Sequence, residues 1–506
     1  MRSISFSSKT SKAGAYHVMR HYLKKAAAAA AALVLCVAVA GTMMAPATQA
    51  GTAYAKSKKV KLSAKSITLN VCGKKTLKIK GTKKRAKWSV AGDKLISIKT
   101  KGKKRHKAVI KAGSKTGTCR IVVRAGKKKL KCKVRVRTFS GKFISAFNDS
   151  SVKLLKETTK NSASGSNILI SPDSILTAMA MAENGAAGKT LSEMKNAFGG
   201  MTLSAYNRDL SQLNDRLASS KYVKYHIANS AWYKNDFEIK KNYISKLKTL
   251  YGAEVKKSGF DAGTVGEINS WVKKNTKNMI DKIIDRIMPD MKLILINAIA
   301  FDGKWADQYN DTVKGKFKSA SGIEQSADYL EGKETVYVEV KGAAGFIKNY
   351  EGGKFAFLAL LPPEGMSVEK YIASLSGKDL MNGYKNRKQT GIDVYTKTPE
   401  FKYDYDCSLK GPLRAMGIRT AFTDSADFSG ISKERIMISD VIHKTHIELD
   451  KNGTKAAAVT AILMKDSAFI PQKRTVKKVY LTRPFVYAII DTDTGLPLFI
   501  GTLQNI

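Results

Sequence analysis

The sequence predicts a large α+β domain preceded by a small all-β sandwich, on three observations. Helical and strand periodicities interleave over residues 139–506 without a linker-like break. Residues 56–138 repeat short alternating strands about every ten residues, with Gly and Lys at the turns. Charge divides the chain at the same place. Of 89 Lys and Arg against 41 Asp and Glu, 30 bases and the single acid Asp93 lie between Lys58 and Arg137.

The first 55 residues read as an export signal. A polar, basic stretch ends at Lys24-Lys25, an Ala/Leu/Val run covers 26–40, and small residues follow, with cleavage after Ala50 or Ala55. The apolar run is shorter than the roughly 20 residues that span a bilayer. The chain is therefore expected to be secreted. Five cysteines are too few for a disulfide framework, and Cys36 leaves with the leader.

Segment 56–138 places strands near 67–71, 76–79, 95–98, 108–110 and 120–123, with Trp88 in the core. Cys119 and Cys132 are symmetric about a turn at Ala125-Gly126, which would set them opposite each other and allow a cross-strand disulfide. The runs LSAKSITLNVCGKKTLKIKGTKKRAKWSV and AGSKTGTCRIVVRAGKKKLKCKVRV resemble the bacterial immunoglobulin-like repeats of exported proteins. The excess of cations over 58–137 implies an anionic partner. The scarcity of aromatics favours an acidic cell-wall or glycan surface over nucleic acid.

In 139–506, helices are expected at 151–159 and 171–183. Ser171 serves as N-cap, with Pro172 at the first helical position. The apolar runs 293–300, 355–361 and 485–490 read as buried strands. Specific motifs follow in order: NILISPDS at 167–174, MAENGAAGKT at 181–190, INSWV at 268–272, NAIAFDGKW at 297–305, PEFK at 399–402, ADFSGI at 426–431, ISDVIHK at 438–444, GTKAAAVTA at 453–461, RPF at 483–485 and PLFIG at 497–501. Together they resemble the serpin family from residue 143 to the end.

That resemblance implies three β-sheets, eight or nine helices and an exposed reactive loop. It implies a monomeric, irreversible suicide inhibitor of serine-type endopeptidases, forming a 1:1 covalent complex and needing no cofactor. The hinge would be Gly453, Thr454, Lys455, Ala456, Ala457, Ala458, Val459 and Thr460, which enters the central sheet after cleavage between the strands containing 293–301 and 443–449. Alternate residues of an inserted strand face inward. Thr454, Ala456, Ala458 and Thr460 are small, and no Pro interrupts Gly453 to Ile470. Ser171, Ser174, Asn297 and His443 would form a polar shutter beneath the sheet, and Trp305 would mark its top. Lys451 stands where the family usually has Glu, so an ion pair near the hinge is expected to be missing unless another acid compensates.

Counting from Thr454 puts the reactive bond at Ser467–Ala468, which suits elastase- or subtilisin-like targets. A bond within 462–466, or trypsin-like cleavage at 473–475 counted back from Pro484, stays open. The alternative function is a non-inhibitory serpin acting as a surface binding protein. Enzyme chemistry finds no support: there is no Gly-x-Ser-x-Gly or His-Glu-x-x-His, Glu183 stands where a phosphate loop would begin with Gly, and His443 and His446 face opposite sides of a strand.

Overall fold

The computed structural model describes residues 59–71, 73–113, 115–137, 139–454 and 474–506, and residues 58–506 cluster as one compact unit. The front segment carries eight strands in two four-stranded sheets. One runs Lys61–Leu62, Lys74–Lys80, Lys107–Ala112, Ile96–Lys101; the other Ser66–Asn70, Lys128–Arg137, Gly117–Ala125, Ala86–Ala91. Strict alternation explains both. In Lys128–Arg137, Cys132, Val134 and Val136 are buried while Lys131, Lys133 and Arg135 are exposed. Leu69, Leu77, Ile110, Ile121 and Val123 complete a core separate from that of the rest of the chain. Trp88 is half-buried within Ala86–Ala91, its indole N–H donating to the Arg105 carbonyl at 2.8 Å.

The expected cysteine pairing is corrected here. Ala125 pairs with Lys128, so the turn is Gly126-Lys127, one residue later than the sequence suggested. Gly126 has φ 61°, and the residue that tolerates the left-handed conformation opens the two-residue loop instead of closing it. Cys119 therefore faces Val134, and Cys132 faces Ile121. Both thiols are free and buried, and burial raises the pKa of each.

The larger part has nine α-helices among the described residues and three sheets. The central sheet runs Glu254–Ser258, Lys224–Lys234, Leu293–Lys304, Gly453–Thr454, Ile442–Asp450, Phe401–Ser408. A second comprises Val313–Lys318, Glu324–Glu334, Ile392–Pro399 and Thr475–Tyr480. The third comprises Tyr337–Val340, Ala343–Asn349, Phe355–Leu361, Phe485–Asp491, Pro497–Leu503 and Ile168–Ile170. The Pro172–Glu183 helix packs against both Leu293–Lys304 and Pro497–Leu503, which explains why it is buried almost all round. A smaller core, with Trp232, Trp271 and Ile280, lies under the Ala262–Asn275 helix.

The front segment rests on the Leu203–Leu217 helix. Asp209, with no exposed side-chain surface, accepts from Arg137 at 3.2 Å, Arg208 at 2.9 Å, Ser140 at 3.1 Å and the Asn70 amide at 3.3 Å. Lys74 pairs with Asp215 at 2.8 Å. No periodicity in the sequence pointed to this contact.

Candidate functional site

The site forms where the chain turns back after the Ile442–Asp450 strand. The Asp450 carboxylate accepts from the N–H of Asn452 at 2.7 Å and of Gly453 at 3.0 Å, closing a turn of the kind Asp favours. Two further donors fix that turn from outside: Trp305 N–H to the Asn452 carbonyl at 2.9 Å, and the Trp305 indole N–H to the Asp450 carbonyl at 2.9 Å. Tyr309 N–H reaches the Lys451 carbonyl at 3.1 Å.

The returning chain then enters the central sheet as Gly453–Thr454. Gly453 pairs with Lys304 on one side and Asp450 on the other; Thr454 pairs with Gly303 and Leu449. Only glycine fits at 453, because a Cβ there would lie 2.1 Å from the Gly303 carbonyl oxygen. Thr454 is 3% exposed, and its hydroxyl lies 2.6 Å from the Tyr350 hydroxyl. Tyr350 in turn stacks on Trp305, with ring centroids 4.5 Å apart. Lys348, buried and paired with Glu334 at 2.9 Å, places its ammonium over Trp305 and Tyr309. Burial raises the Glu334 pKa, and Lys348 opposes that rise.

An acid does stand beside Lys451, on the link between the Ile392–Pro399 and Phe401–Ser408 strands, but it meets the backbone of Lys451 and not its ammonium. Glu400 accepts the Lys451 N–H at 2.9 Å. Burial raises the Glu400 pKa, while the Lys451 N–H and its charge pull it back.

Deeper in the sheet, the polar residues singled out from sequence separate into two clusters. Ser171 N–H donates to His443 Nε2 at 3.0 Å, and Ser171 Oγ donates to the Leu498 carbonyl at 2.8 Å. Burial holds His443 neutral, its pKa pushed down to about 4, and Nε2 as acceptor places the ring proton on Nδ1. The Asn297 side chain points the other way, donating to Asn229 at 2.6 Å, which donates to the Tyr251 carbonyl at 2.9 Å. Ser174 Oγ joins the two groups through the Asn297 carbonyl at 3.4 Å. Asn229 and Tyr350 carried no local sequence signal. A cavity of about 500 Å³ lies between the lower halves of the two strands flanking Thr454, lined by Ser174, Ile294, Asn297, Ile438, Ile442 and His443.

Lys455 to Thr460 and the Ser467–Ala468 bond lie outside the described residues. Arg474, named in the later alternative, is described. Its guanidinium pairs with Asp393 at 2.8 Å and donates to the Ile392 carbonyl at 2.9 Å, at the start of the Thr475–Tyr480 strand.

Comparison with known proteins supplies a family. The family model for serpins (serine protease inhibitors) matches residues 145–506. An uncharacterized serpin-like protein of Thermococcus kodakarensis is 31% identical over 374 residues, covering 72% of this chain and 85% of the relative. Iripin-8 of Ixodes ricinus is 31% identical over 384 residues, covering 72% and 93%. The crystal structure of the thermophilic serpin tengpin in its native state is similar at TM-score 0.68 and 38% identity, over 73% of this chain and 96% of that one.

Proposed function

Because the chain belongs to the serpin family, whose members are generally protease inhibitors and not enzymes, we propose that it is a secreted, irreversible inhibitor of serine-type endopeptidases. The observation that carries this reading is the seat of Thr454. The first hinge residues are already hydrogen-bonded as a strand between Leu293–Lys304 and Ile442–Asp450. The loop thus has a formed starting point from which to zip.

In the proposed mechanism the protease serine attacks the carbonyl of residue 467. The bond to Ala468 breaks, the proton of the serine hydroxyl passes to the leaving amine, and an ester links enzyme and loop. Residues beyond Thr454 then extend the strand between its two neighbours, gaining backbone hydrogen bonds and burying small side chains. The ester is carried away from its oxyanion hole before water reaches it. Ser467 favours elastase- or subtilisin-like enzymes with small or apolar primary pockets. The front segment, read as an immunoglobulin-like sandwich, would hold the monomeric inhibitor at an anionic cell-wall or glycan surface after export.

The test incubates the chain with an elastase-like, a subtilisin-like and a trypsin-like protease. Denaturing gels report a covalent complex, and the mass of the released C-terminal peptide fixes the bond. A peptide beginning at Ala468 is expected. One beginning at Arg474 or Thr475 would move the specificity to trypsin-like enzymes. Cleavage without a complex in all three cases would overturn inhibition and leave a non-inhibitory serpin acting as a surface binding protein.

A further inference from the structure

The front segment carries a pattern that protease capture does not use. Along the Lys128–Arg137 strand every second residue from Lys129 is a cation: Lys129, Lys131, Lys133, Arg135 and Arg137. The first four are exposed; Arg137, at the end of the row, is held by Asp209. On the neighbouring strand Arg120 stands opposite Lys133 and Arg124 opposite Lys129, and on the strand beyond, Lys87 stands opposite Arg124. Like charges directly opposite one another destabilise a sheet. Among the described residues of this segment, only Lys74 and Arg137 form ion pairs, so no described carboxylate relieves the row.

The face is also without aromatic rings. Its outward neighbours include Ser66, Thr68, Ser89 and Val122, whereas Trp88 points to the other side. Proteins that hold single-stranded nucleic acid combine cations with stacking platforms. This face offers rows of cations without a stacking platform.

We infer that this face binds an extended polyol-phosphate polymer, with one phosphate at each of Lys129, Lys131, Lys133 and Arg135. The spacing argues for it. Residues i and i+2 on a strand are about 6.6 Å apart, across six backbone bonds. Successive phosphorus atoms joined through a three-carbon polyol (P–O–C–C–C–O–P) are also six bonds apart, so the two extended chains keep register over the whole row. A glycan carrying charge on its sugar rings spaces its anions through whole rings and loses that register. Lysine ammonium groups suit phosphate as point charges that donate in several directions. Arg120 and Arg124 flank the row on a strand about 4.8 Å away and add a second line of charge. This inference rests on the reading of the front segment as the part that meets an anionic surface; it does not depend on protease inhibition.

The experiment measures binding of the intact protein, front segment included, to poly(glycerol phosphate) across a salt series. A sulfated glycan and a single-stranded DNA of equal charge serve as rival probes. Four phosphate contacts predict a log–log salt slope of about −3, or roughly a 50-fold loss of affinity between 50 and 200 mM salt. The variant K129Q/K131Q/K133Q/R135Q should lose affinity at least tenfold and flatten the slope. The variant K78Q/K99Q/K101Q/K107Q removes four charges from the opposite sheet and should bind within about threefold of the parent. Equal loss in both variants, tighter or equal binding to either rival probe, or no binding at 50 mM salt would overturn the inference. Far-UV circular dichroism of each variant shows that the front segment is folded, and covalent complex formation with protease is measured on the same samples. Failure of complex formation in the parent protein would refute inhibition while leaving the polymer result to stand or fall separately.

Discussion

Gly453→Ala probes the hinge seat where it is tightest. The added methyl would lie 2.1 Å from the Gly303 carbonyl oxygen and 2.8 Å from Lys304 Cα. Both are backbone atoms within the central sheet, so no change of rotamer relieves the contact. The seat must open by about 1 Å or more to restore ordinary separation. Opening stretches the Gly453 N–H bond to Asp450 and the Trp305 N–H bond to Asn452. Each contributes about 1 kcal/mol. It also draws Thr454 away from Tyr350. A total of about 2 kcal/mol, if felt as a barrier to loop insertion, slows that step roughly 30-fold. Deacylation then overtakes trapping. The assay is the stoichiometry of inhibition, in moles of inhibitor consumed per mole of protease silenced, which should rise severalfold. Gly266→Ala is the control: it lies in the Ala262–Asn275 helix, and a Cβ there meets nothing within 4 Å. An unchanged stoichiometry and rate for Gly453→Ala would refute the claim that this seat starts insertion.

Tyr350→Phe removes the hydroxyl partner of buried Thr454 but keeps the stack on Trp305, and should cost about 1–2 kcal/mol, read from denaturant unfolding. His443 should make the protein acid-sensitive. Its folded pKa is depressed from 6.5 to about 4, so the unfolded chain takes up a proton that the folded one refuses. Stability is then lost as pH falls from about 6.5 to about 4, by up to about 3 kcal/mol, and His443→Asn should flatten that part of the curve. Asp173, raised to about 7 by burial, acts in the opposite sense and adds stability as pH falls through 7, so the two are separated by comparing each variant with the parent. Asp209→Ala should loosen the front segment. Arg137 and Arg208 are each about a third exposed, so the cost is about 2 kcal/mol, below that of a fully buried pair, and tryptic cutting near Arg137 should accelerate by an order of magnitude or more.

Much of this architecture could be read from residues with local physical meaning. Ser171 and Pro172 announced a helix start, and Ser171 Oγ does accept the Ser174 N–H. The apolar runs at 293–300, 355–361 and 485–490 are central strands because a strand covered on both faces has no polar side to show. The helix expected at 151–159 extends over Gly141–Asn161 from a Ser140 cap; the polar run Asn148 to Ser151 interrupts its apolar face and hid the first half. Turn register was harder. Moving one loop by one residue displaced Cys119 from Cys132, because the order of left-handed and ordinary residues within a two-residue turn is not written in its composition. Contacts between distant segments left no trace at all. Glu400 beside Lys451, Tyr350 against Thr454 and Asn229 behind Asn297 are each brought together only by strand order.

Just past the front segment, one hydroxyl group couples two helices of the larger part. Ser140 Oγ accepts the Phe143 N–H that begins the Gly141–Asn161 helix and donates to Asp209 on the neighbouring helix. Tension arriving through the front segment would therefore load these two helices first. The turn at Asp450–Gly453 is anchored separately, through Trp305 and Glu400, and lies off that line of force. If the front segment anchors the molecule as proposed, a pull on it would therefore load the Asp209 contacts and not the hinge.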